Sequence, residues 1–318
     1  MYSNIYMLYL GDCLDIIPTI TQNINMVLVD LPYGITKNAW DTCIDLSRMW
    51  LELKKICTTN CIYCFTCTSR FGHDIISSNK KWFMYDLIWE KSITAGFLSA
   101  NKRQLRKHEM IYIFSNPMHY VENVDIRGYF RYIHSYIKTK ATNQELRTLF
   151  NEKSGNHCWR YESSQFVILN KDKYNKLVEK YEIDKLPDFR DHNILNKATI
   201  KSVYNPQMTL NKPYKMNGSG LRDTNYGVIQ KLPIDNNGTR YPTSILKFNS
   251  ESHTIHPTQK PVLLLEYLIK TYSNPGDVVL DFTMGSGSCG VACKNTKRKF
   301  IGIEKDKNIF FDAVNRIW

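Results

Sequence analysis

An acidic residue followed by a proline and a tyrosine ends the first strongly apolar run of the chain. The run is Ile24–Val29, and the residues after it are Asp30, Leu31, Pro32 and Tyr33. A carboxylate only accepts hydrogen bonds, and proline removes an N–H donor while neighbouring carbonyls remain as acceptors. Such an acceptor corner beside an aromatic ring suits an exocyclic amine on a flat heterocycle. The alternative is an ordinary strand–turn.

A glycine-rich turn follows another apolar strand near the end of the chain. Its residues are Asp277-Val278-Val279-Leu280-Asp281-Phe282-Thr283-Met284-Gly285-Ser286-Gly287-Ser288. Glycines let the backbone approach a ligand closely, and a nearby acidic residue can bind a ribose or an amino group. The next strand ends at Glu304, whose carboxylate can accept both ribose hydroxyls of a nucleoside. We therefore predict a nucleoside cofactor here, with a tight strand–helix turn as the alternative.

The same glycines match the dinucleotide-binding pattern G-x-G-x-x-G at Gly285, Gly287 and Gly290. That pattern normally opens a dehydrogenase, which places a substrate domain after it. Here it lies close to the end of the chain, and too few residues follow for such a domain. A dinucleotide enzyme is therefore the poorer interpretation.

Three cysteines, Cys57, Cys61 and Cys64, have the C-x3-C-x2-C spacing of radical enzymes that use an iron–sulfur cluster. The segment 60–67 is typical of a buried strand, in which successive side chains point to opposite faces. On a strand Cys61 and Cys64 cannot bind one cluster. We predict that these cysteines are reduced core residues and that the chain has no metal site. A radical enzyme is kept as a distant alternative.

Composition narrows the class of protein. The chain has 318 residues, a hydrophobic fraction of 43% and a net charge of +12. No apolar run approaches the roughly 18 residues of a membrane span, and the start is not typical of a signal peptide. We expect no membrane association and a cytoplasmic location, or the host cytoplasm or nucleus if a virus encodes the protein. The positive charge favours a polyanionic partner.

Strands and helices alternate along both flanks of the chain, which is typical of an α/β fold with a doubly wound parallel sheet. The predicted strands are 24–29, 61–66, 85–89, 110–114, 278–280 and 300–303, and the predicted helices are 50–56, 71–77 and 261–272.

The middle of the chain is different, because it is polar and rich in Asn, Lys and Tyr. A capping box at Thr142 predicts a helix over 142–150, and a second amphipathic helix is predicted over 173–181. Residues 204–235 carry Gly, Pro and Asn and are predicted to be loop. We therefore divide the chain into a catalytic half at 1–120, a helical, loop-rich insertion at 121–241, and a cofactor-binding half at 242–318.

Taken together, these motifs resemble the β-class amino methyltransferases that methylate adenine N6 in DNA. The family hallmark is Asp-Pro-Pro-Tyr, here Asp30-Leu31-Pro32-Tyr33, followed by a target-recognition region and then by the cofactor loop. Leu31 replaces the first proline, which keeps the backbone carbonyl but loosens the turn. Further matches are Gly11-Asp12-Cys13-Leu14, Trp89-Glu90-Lys91, Gly96-Phe97, Arg106-Lys107-His108-Glu109 and His256-Pro257-Thr258-Gln259-Lys260-Pro261.

The resemblance implies a seven-stranded, Rossmann-like methyltransferase sheet with a target-recognition insertion. It implies methyl transfer from S-adenosyl-L-methionine, with S-adenosyl-L-homocysteine as product. The catalytic residues would be Asp30, Leu31, Pro32 and Tyr33. Asp30 and a backbone carbonyl near Leu31 would accept the hydrogens of the amino group, while Tyr33 would stack on the flipped-out base.

By the same resemblance, Asp12 would contact the cofactor's adenine, and Thr258 and Lys260 would lie near its methionine carboxylate. The alternatives are a helix N-cap for Asp12 and a solvated surface lysine for Lys260. The full predicted cofactor set is Asp12, Cys13, Asp30, His256, Thr258, Lys260, Asp281, Phe282, Thr283, Gly285, Ser286, Gly287 and Glu304.

The implied partner is double-stranded DNA, bound by a site-specific enzyme of restriction–modification type that the resemblance predicts to be a homodimer. Lys102, Arg103, Arg106 and Lys107 are predicted to contact DNA phosphates, with a solvated loop as the alternative. Residues predicted to serve base readout in the insertion are Lys138, Lys140, Arg147 and Arg160.

Three alternatives to an adenine-N6 enzyme remain open. An N4-cytosine methyltransferase shares the fold and the chemistry, although Asp rather than Ser at position 30 favours adenine. A catalytically silent DNA-binding protein is supported only by Leu31. RNA also stays open as a substrate, because the chemistry at the amino group is the same.

Overall fold

Buried strands alternate with amphipathic helices in the computed structural model, which describes residues 6–32, 34, 42–116, 126–149, 157–161, 166–197, 203–224, 227–230, 233–251 and 259–318. The strands are β1 (Tyr6–Leu10), β2 (Ile24–Asp30), β3 (Cys57–Cys67), β4 (Phe83–Ala95), β5 (Arg106–Ser115), β6 (Thr209–Leu210), β7 (Tyr214–Met216), β8 (Leu221–Thr224), β9 (Gly227–Gln230), β10 (Ile234–Asn236), β11 (Thr239–Arg240), β12 (Ile245–Lys247), β13 (Val278–Asp281) and β14 (Lys299–Glu304). The helices are α1 (Cys13–Ile16), α2 (Leu46–Ile56), α3 (Ser69–Ser78), α4 (Ile126–Lys138), α5 (Asn143–Leu149), α6 (Lys171–Tyr181), α7 (His192–Lys197), α8 (Val262–Tyr272), α9 (Ser288–Asn295) and α10 (Lys307–Ile317).

The main sheet has eight strands in the order β1-β14-β13-β2-β3-β5-β4-β12. Strands β1, β14, β13, β2 and β3 pair in parallel, whereas β4 and β5 are antiparallel. The predicted doubly wound α/β fold is therefore confirmed. The sheet has one strand more than the seven expected, because β12 pairs in parallel with the outer edge of β4.

The sheet order changes direction between its central neighbours β13 and β2. The chain continues from β2 to β3 on one side and from β13 to β14 on the other. At such a switch point the connections leave toward opposite sides, and a crevice opens outside the carboxyl ends of the strands. The fold thus places Asp30 and Asp281, the last residues of β2 and β13, at the mouth of one crevice.

The core lies on both faces of this sheet, because alternate residues of each buried strand point to opposite sides. Val27 and Cys61 belong to one apolar cluster, whereas Leu28 and Cys64 belong to the other. The prediction that Cys61 and Cys64 face opposite ways is confirmed. Within the described residues no group of three or more His, Cys, Asp or Glu side chains could hold a metal ion.

Contacts divide the chain into one unit of residues 1–114 and 203–318 and a second unit of residues 115–202. The second unit is helical and has its own core, which includes Phe130, Ile133 and Leu177. Its predicted capping box is present: the Thr142 amide donates to Glu145 at 2.7 Å, and the Glu145 amide donates to the Thr142 hydroxyl at 3.3 Å.

Residues 204–235, which were predicted to be loop, contain short strands, and the chain from residue 203 onward clusters with the first unit. They form short antiparallel ribbons that pair β10 with β7, β11 with β6 and β8 with β9. These strands are two to four residues long, so they carry too few residues for an alternating apolar pattern.

Among the described residues, no helix combines the length and the apolar character that crossing a membrane requires.

We expect Gly72→Ala to lower the free energy of unfolding by about 1–3 kcal/mol, the cost of overpacking a core. Gly72 lies in α3, and a Cβ there would stand 2.2 Å from the ring of the buried Tyr112 in β5. The clash outweighs the better helix propensity of alanine, about 1 kcal/mol. Denaturant unfolding measures the change, with exposed Ser77→Ala as the control. Equal stability of both variants would contradict the close packing of Gly72 against Tyr112.

Candidate functional site

A cavity of about 460 Å³ opens at the carboxyl ends of β2, β13 and β14. Its volume is in the range that binds cofactors. Gly287 does not line the cavity; it precedes α9 with φ 75° and packs against Ile317. Tyr33, His256 and Thr258 lie outside the described residues. The predicted residues that do line the cavity are Asp12, Cys13, Asp30, Leu31, Pro32, Lys260, Asp281, Phe282, Thr283, Gly285, Ser286 and Glu304.

Both oxygens of the Asp30 carboxylate accept hydrogen bonds. Thr66, its register partner on β3, donates its hydroxyl to Oδ1 at 2.7 Å. Lys260 donates from Nζ to Oδ2 at 2.5 Å. Sequence patterns do not point to Thr66, because only strand pairing brings this residue beside Asp30.

Lys260 lies between two carboxylates. Its Nζ is 3.4 Å from Oε2 of Glu109 in addition to its bond with Asp30, and the other oxygen of Glu109 pairs with Lys91. Only 8% of Lys260 is exposed, so the alternative of a solvated surface lysine is wrong. Two ammonium groups and two carboxylates thus form an alternating row from β4 to the end of β2.

The surroundings act differently on the two carboxylates of this row. Burial raises the pKa of Asp30, Lys260 opposes that rise and Glu109 adds to it. Burial also acts to raise the pKa of Glu109, but Lys260 and Lys91 outweigh it and hold that pKa below its ordinary value. The surroundings therefore favour the charged form of Glu109 more than that of Asp30.

The loop after β13 is tied to the end of β2. The Thr283 hydroxyl donates to the backbone oxygen of Asp30 at 2.9 Å, and the Thr283 amide donates to Oδ1 of Asp281 at 3.2 Å. Burial raises the pKa of Asp281 well above its ordinary value, and the negative charges of Asp30 and Glu304 raise it further. The structure thus holds a desolvated carboxyl group beside two others.

Glu304 supports the glycine loop from the neighbouring strand. Its Oε2 accepts from the Gly285 amide at 3.0 Å, and its Oε1 accepts from the Asp306 amide at 2.8 Å. Gly285 adopts a left-handed conformation with φ 50°, which favours glycine. Because each carboxylate oxygen can accept two hydrogen bonds, Glu304 retains acceptor capacity for a ligand.

Asp12 caps a helix and also lines the cavity. Its Oδ1 caps α1 by accepting from the Leu14 amide at 3.0 Å, and its Oδ2 accepts from Lys305 at 3.0 Å. The helix-cap alternative is therefore realised. Since Asp12 also lines the cavity, capping holds its carboxylate at the cavity wall.

The predicted DNA contacts fall into two groups. The first group is exposed: Lys102 and Arg103 lie in the connection from β4 to β5, and Arg106 and Lys107 begin β5, where Lys107 pairs with Glu90 at 3.1 Å. The second group lies in the second unit, where Lys138, Lys140 and Arg160 are exposed and the side chain of Arg147 is outside the described part. Contact with DNA remains a prediction for both groups.

A family model described as DNA methylase, of the N6/N4 methyltransferase type, matches residues 24–315. The chain belongs to this family. The resemblance inferred from the sequence motifs is thereby confirmed at the level of the family.

Two type II methyltransferases are similar to parts of this chain. M.HindIII of Haemophilus influenzae is 33% identical over 131 residues, which cover 38% of this chain and 42% of that protein. M2.DpnII of Streptococcus pneumoniae is 45% identical over 62 residues, which cover 20% of this chain and 23% of that protein. The similarity therefore spans less than half of either relative.

Solved structures confirm the fold. A complex of M1.HpyAVI with S-adenosylmethionine aligns with a TM-score of 0.51 at 19% identity, over 98% of this chain and 99% of that one. The cytosine-N4-specific PvuII DNA methyltransferase aligns with a TM-score of 0.50 at 13% identity, over 98% of this chain and 88% of that one.

We expect Asp281→Asn to stabilise the unliganded protein at neutral pH. A carboxyl group whose pKa is higher in the folded than in the unfolded state costs stability as the pH rises above the unfolded value of about 3.9. Asparagine removes that cost and can still accept from the Thr283 amide. Melting curves between pH 4 and 8 should show a gain that shrinks toward acid pH. Exposed Asp86→Asn is the control. If Asp281→Asn is no more stable than wild type at pH 7, the raised pKa of Asp281 is refuted.

Proposed function

We propose that this chain transfers a methyl group from S-adenosyl-L-methionine to the N6 amino group of an adenine flipped out of double-stranded DNA. The observation that carries the proposal is the Asp30 carboxylate at the end of β2, beside a cavity that also holds Asp281 and Glu304. Membership of the DNA methylase family supports the reaction class.

The amine of adenine needs help to react, because its lone pair is delocalised into the ring. Asp30 and the backbone carbonyl of Leu31 would accept the two amino hydrogens and draw the lone pair out of conjugation. The nitrogen then attacks the sulfonium methyl in line, and the C–S bond breaks as the C–N bond forms. Rate acceleration comes from positioning and from preorganised acceptors.

Lys260 donates to Oδ2 of Asp30 at 2.5 Å and therefore competes for that oxygen with an incoming amino group. In the proposed mechanism Lys260 gives up this bond when the base binds. Glu109 offers the nearest other carboxylate, at 3.4 Å from the same nitrogen. After methyl transfer the nitrogen is cationic and loses a proton. Asp30 is suited to accept it, since burial raises its pKa.

The cofactor would lie along the glycine loop. Glu304 would accept from its ribose hydroxyls, and the carboxyl groups of Asp281 and Asp12 would border its polar atoms. M1.HpyAVI, a protein of the same fold, was solved as a complex with S-adenosylmethionine, which supports this choice.

The N4 amino group of cytosine is the second candidate acceptor. The fold is compatible with it, because the cytosine-N4-specific PvuII enzyme has the same architecture. Adenine is preferred here because position 30 is Asp rather than Ser.

The test is methylation of random-sequence duplex DNA with S-adenosylmethionine, followed by mapping of modified bases. We expect N6-methyladenine within one short sequence motif. N4-methylcytosine would favour the second candidate, and no modified base in duplex DNA would contradict the proposal. A parallel reaction on RNA of random sequence tests the alternative substrate.

Asp30→Asn and Asp30→Ala should lower the single-turnover methylation rate by roughly a hundred-fold to a thousand-fold, as expected for loss of one preorganised hydrogen-bonding group. Asparagine preserves size but can turn an amide donor toward the amine, and alanine removes the acceptor. Melting curves measured in parallel show whether the protein remains folded. Normal turnover by stable Asp30→Ala protein would remove Asp30 from the mechanism.

Glu304→Ala should weaken binding of S-adenosylmethionine, because loss of hydrogen bonds to a charged group costs about 1.5–3 kcal/mol, or roughly 10- to 150-fold. Calorimetric titration measures the affinity. Glu304→Gln, which keeps one acceptor oxygen, should lose less. Unchanged affinity in the alanine variant would place the ribose elsewhere.

A further inference from the structure

Large apolar side chains stand in solvent at the end of β4 and in its connection to β5. Leu98 is 102% exposed, Phe97 is 66% exposed and Ile93 is 62% exposed. Single exposed apolar residues are common, but a group of them at one projecting turn indicates a contact surface. Residues 96–105 are called the β4–β5 tip below.

The tip is a defined turn. Gly96 has φ 97° and is followed by a single 3-10 turn over Phe97–Ser99. The Ser99 amide donates to the Gly96 carbonyl at 2.9 Å, and the Arg103 amide donates to the Ser99 carbonyl at 3.0 Å. Internal hydrogen bonds therefore order the backbone that carries these exposed side chains, which lowers the entropy cost of inserting them into a partner.

The base of this hairpin is anchored at the candidate active site. Lys91 in β4 pairs with Glu109 in β5, and Lys260 links Glu109 to Asp30. Phe97 follows Lys91 by six residues, and an extended strand rises about 3.3 Å per residue. The tip thus lies within roughly 20 Å of that anchor.

The charge around the β4–β5 tip indicates the chemical class of its partner. Residues 92–107 contain four basic side chains and no Asp or Glu. The four are Lys102, Arg103, Arg106 and Lys107, and all are exposed. Exposed apolar side chains surrounded by basic residues are complementary to a nucleic acid, in which stacked bases lie between rows of phosphates.

We propose that Leu98, with Phe97 beside it, is a wedge that enters the base stack where the target base has left it. This inference rests on the proposed function, since that function requires an extruded base. Extrusion leaves a gap whose neighbouring bases have lost their stacking partner, and an apolar side chain can fill it. The four cations hold the flanking phosphates and so fix the depth of the wedge.

The first experiment requires neither methyl transfer nor a known recognition site. Fluorescence anisotropy measures binding of the full chain to one duplex of arbitrary sequence, either intact or with a single abasic nucleotide in the middle. We expect wild type to bind the abasic duplex at least fivefold more tightly. Phe97→Ala/Leu98→Ala should reduce this preference to less than twofold.

A matched control removes the same two side-chain types from exposed helix positions. Leu51 in α2 is 56% exposed and Phe311 in α10 is 51% exposed. Leu51→Ala/Phe311→Ala should keep the full preference. The wedge is refuted if wild type lacks the preference, if the tip variant retains it, or if the tip variant instead changes the oligomeric state of the protein.

The second experiment measures single-turnover methylation at the site found by base mapping. The tip variant should be at least tenfold slower on the paired duplex and within threefold of wild type when the target base is opposite an abasic nucleotide. A loss that is equal on both duplexes would overturn the wedge. Failure of the proposed function is distinguishable, because wild type would then methylate neither duplex while the binding preference would still report on the tip.

Discussion

A carboxylate at the end of a buried strand cannot keep its charge without compensation, and this constraint organises the site. Asp30 ends β2, whose interior residues are almost completely buried. The hydroxyl of Thr66 and the ammonium of Lys260 supply the compensation. Lys260 in turn is held by Glu109, so three separate segments of the chain meet at one ionic contact.

The same cavity concentrates negative charge from Asp12, Asp281 and Glu304 in addition to Asp30. Three of these carboxyl groups, Asp30, Asp281 and Glu304, have pKa values raised by burial. Stability alone would not favour such crowding, because like charges raise each other's ionisation cost. A ligand that carries a sulfonium cation and two ribose hydroxyls would relieve it, which is why the electrostatics fit the proposed cofactor.

Much of this site could be predicted from the sequence because its residues lie at the ends of strongly apolar strands. The run Ile24–Val29 placed Asp30 at a carboxyl end, and the glycines at 285 and 287 marked the cofactor loop. The contacts of Thr66 and Glu109 with the site could not be predicted, since they depend on strand register and on an ion pair between distant segments. The sequence motif included Glu109 without assigning it a partner.

The fold, too, could be predicted only in part from the sequence. Strand–helix alternation predicted the sheet, but β12 has three residues and carries no periodic signal. The helix α4 has apolar residues at Ile126, Tyr129, Phe130, Ile133 and Ile137, a helical spacing. The polar composition of the surrounding segment concealed it. Local pattern therefore identified six strands of the main sheet and the helices α2, α3, α5, α6 and α8, but it missed α4, the longest described helix. The short strands form only where the sheet edge or a neighbouring ribbon offers hydrogen-bond partners.

In the proposed mechanism the amino group of the target base replaces Lys260 at Asp30. A crystal structure of the protein with duplex DNA and a cofactor analogue that lacks the transferable methyl group measures this directly. The mechanism predicts the target amino nitrogen within about 3.2 Å of Oδ2 of Asp30, with Nζ of Lys260 moved onto Glu109. A complex in which Lys260 still bonds to Asp30 while the amino group binds elsewhere would contradict it.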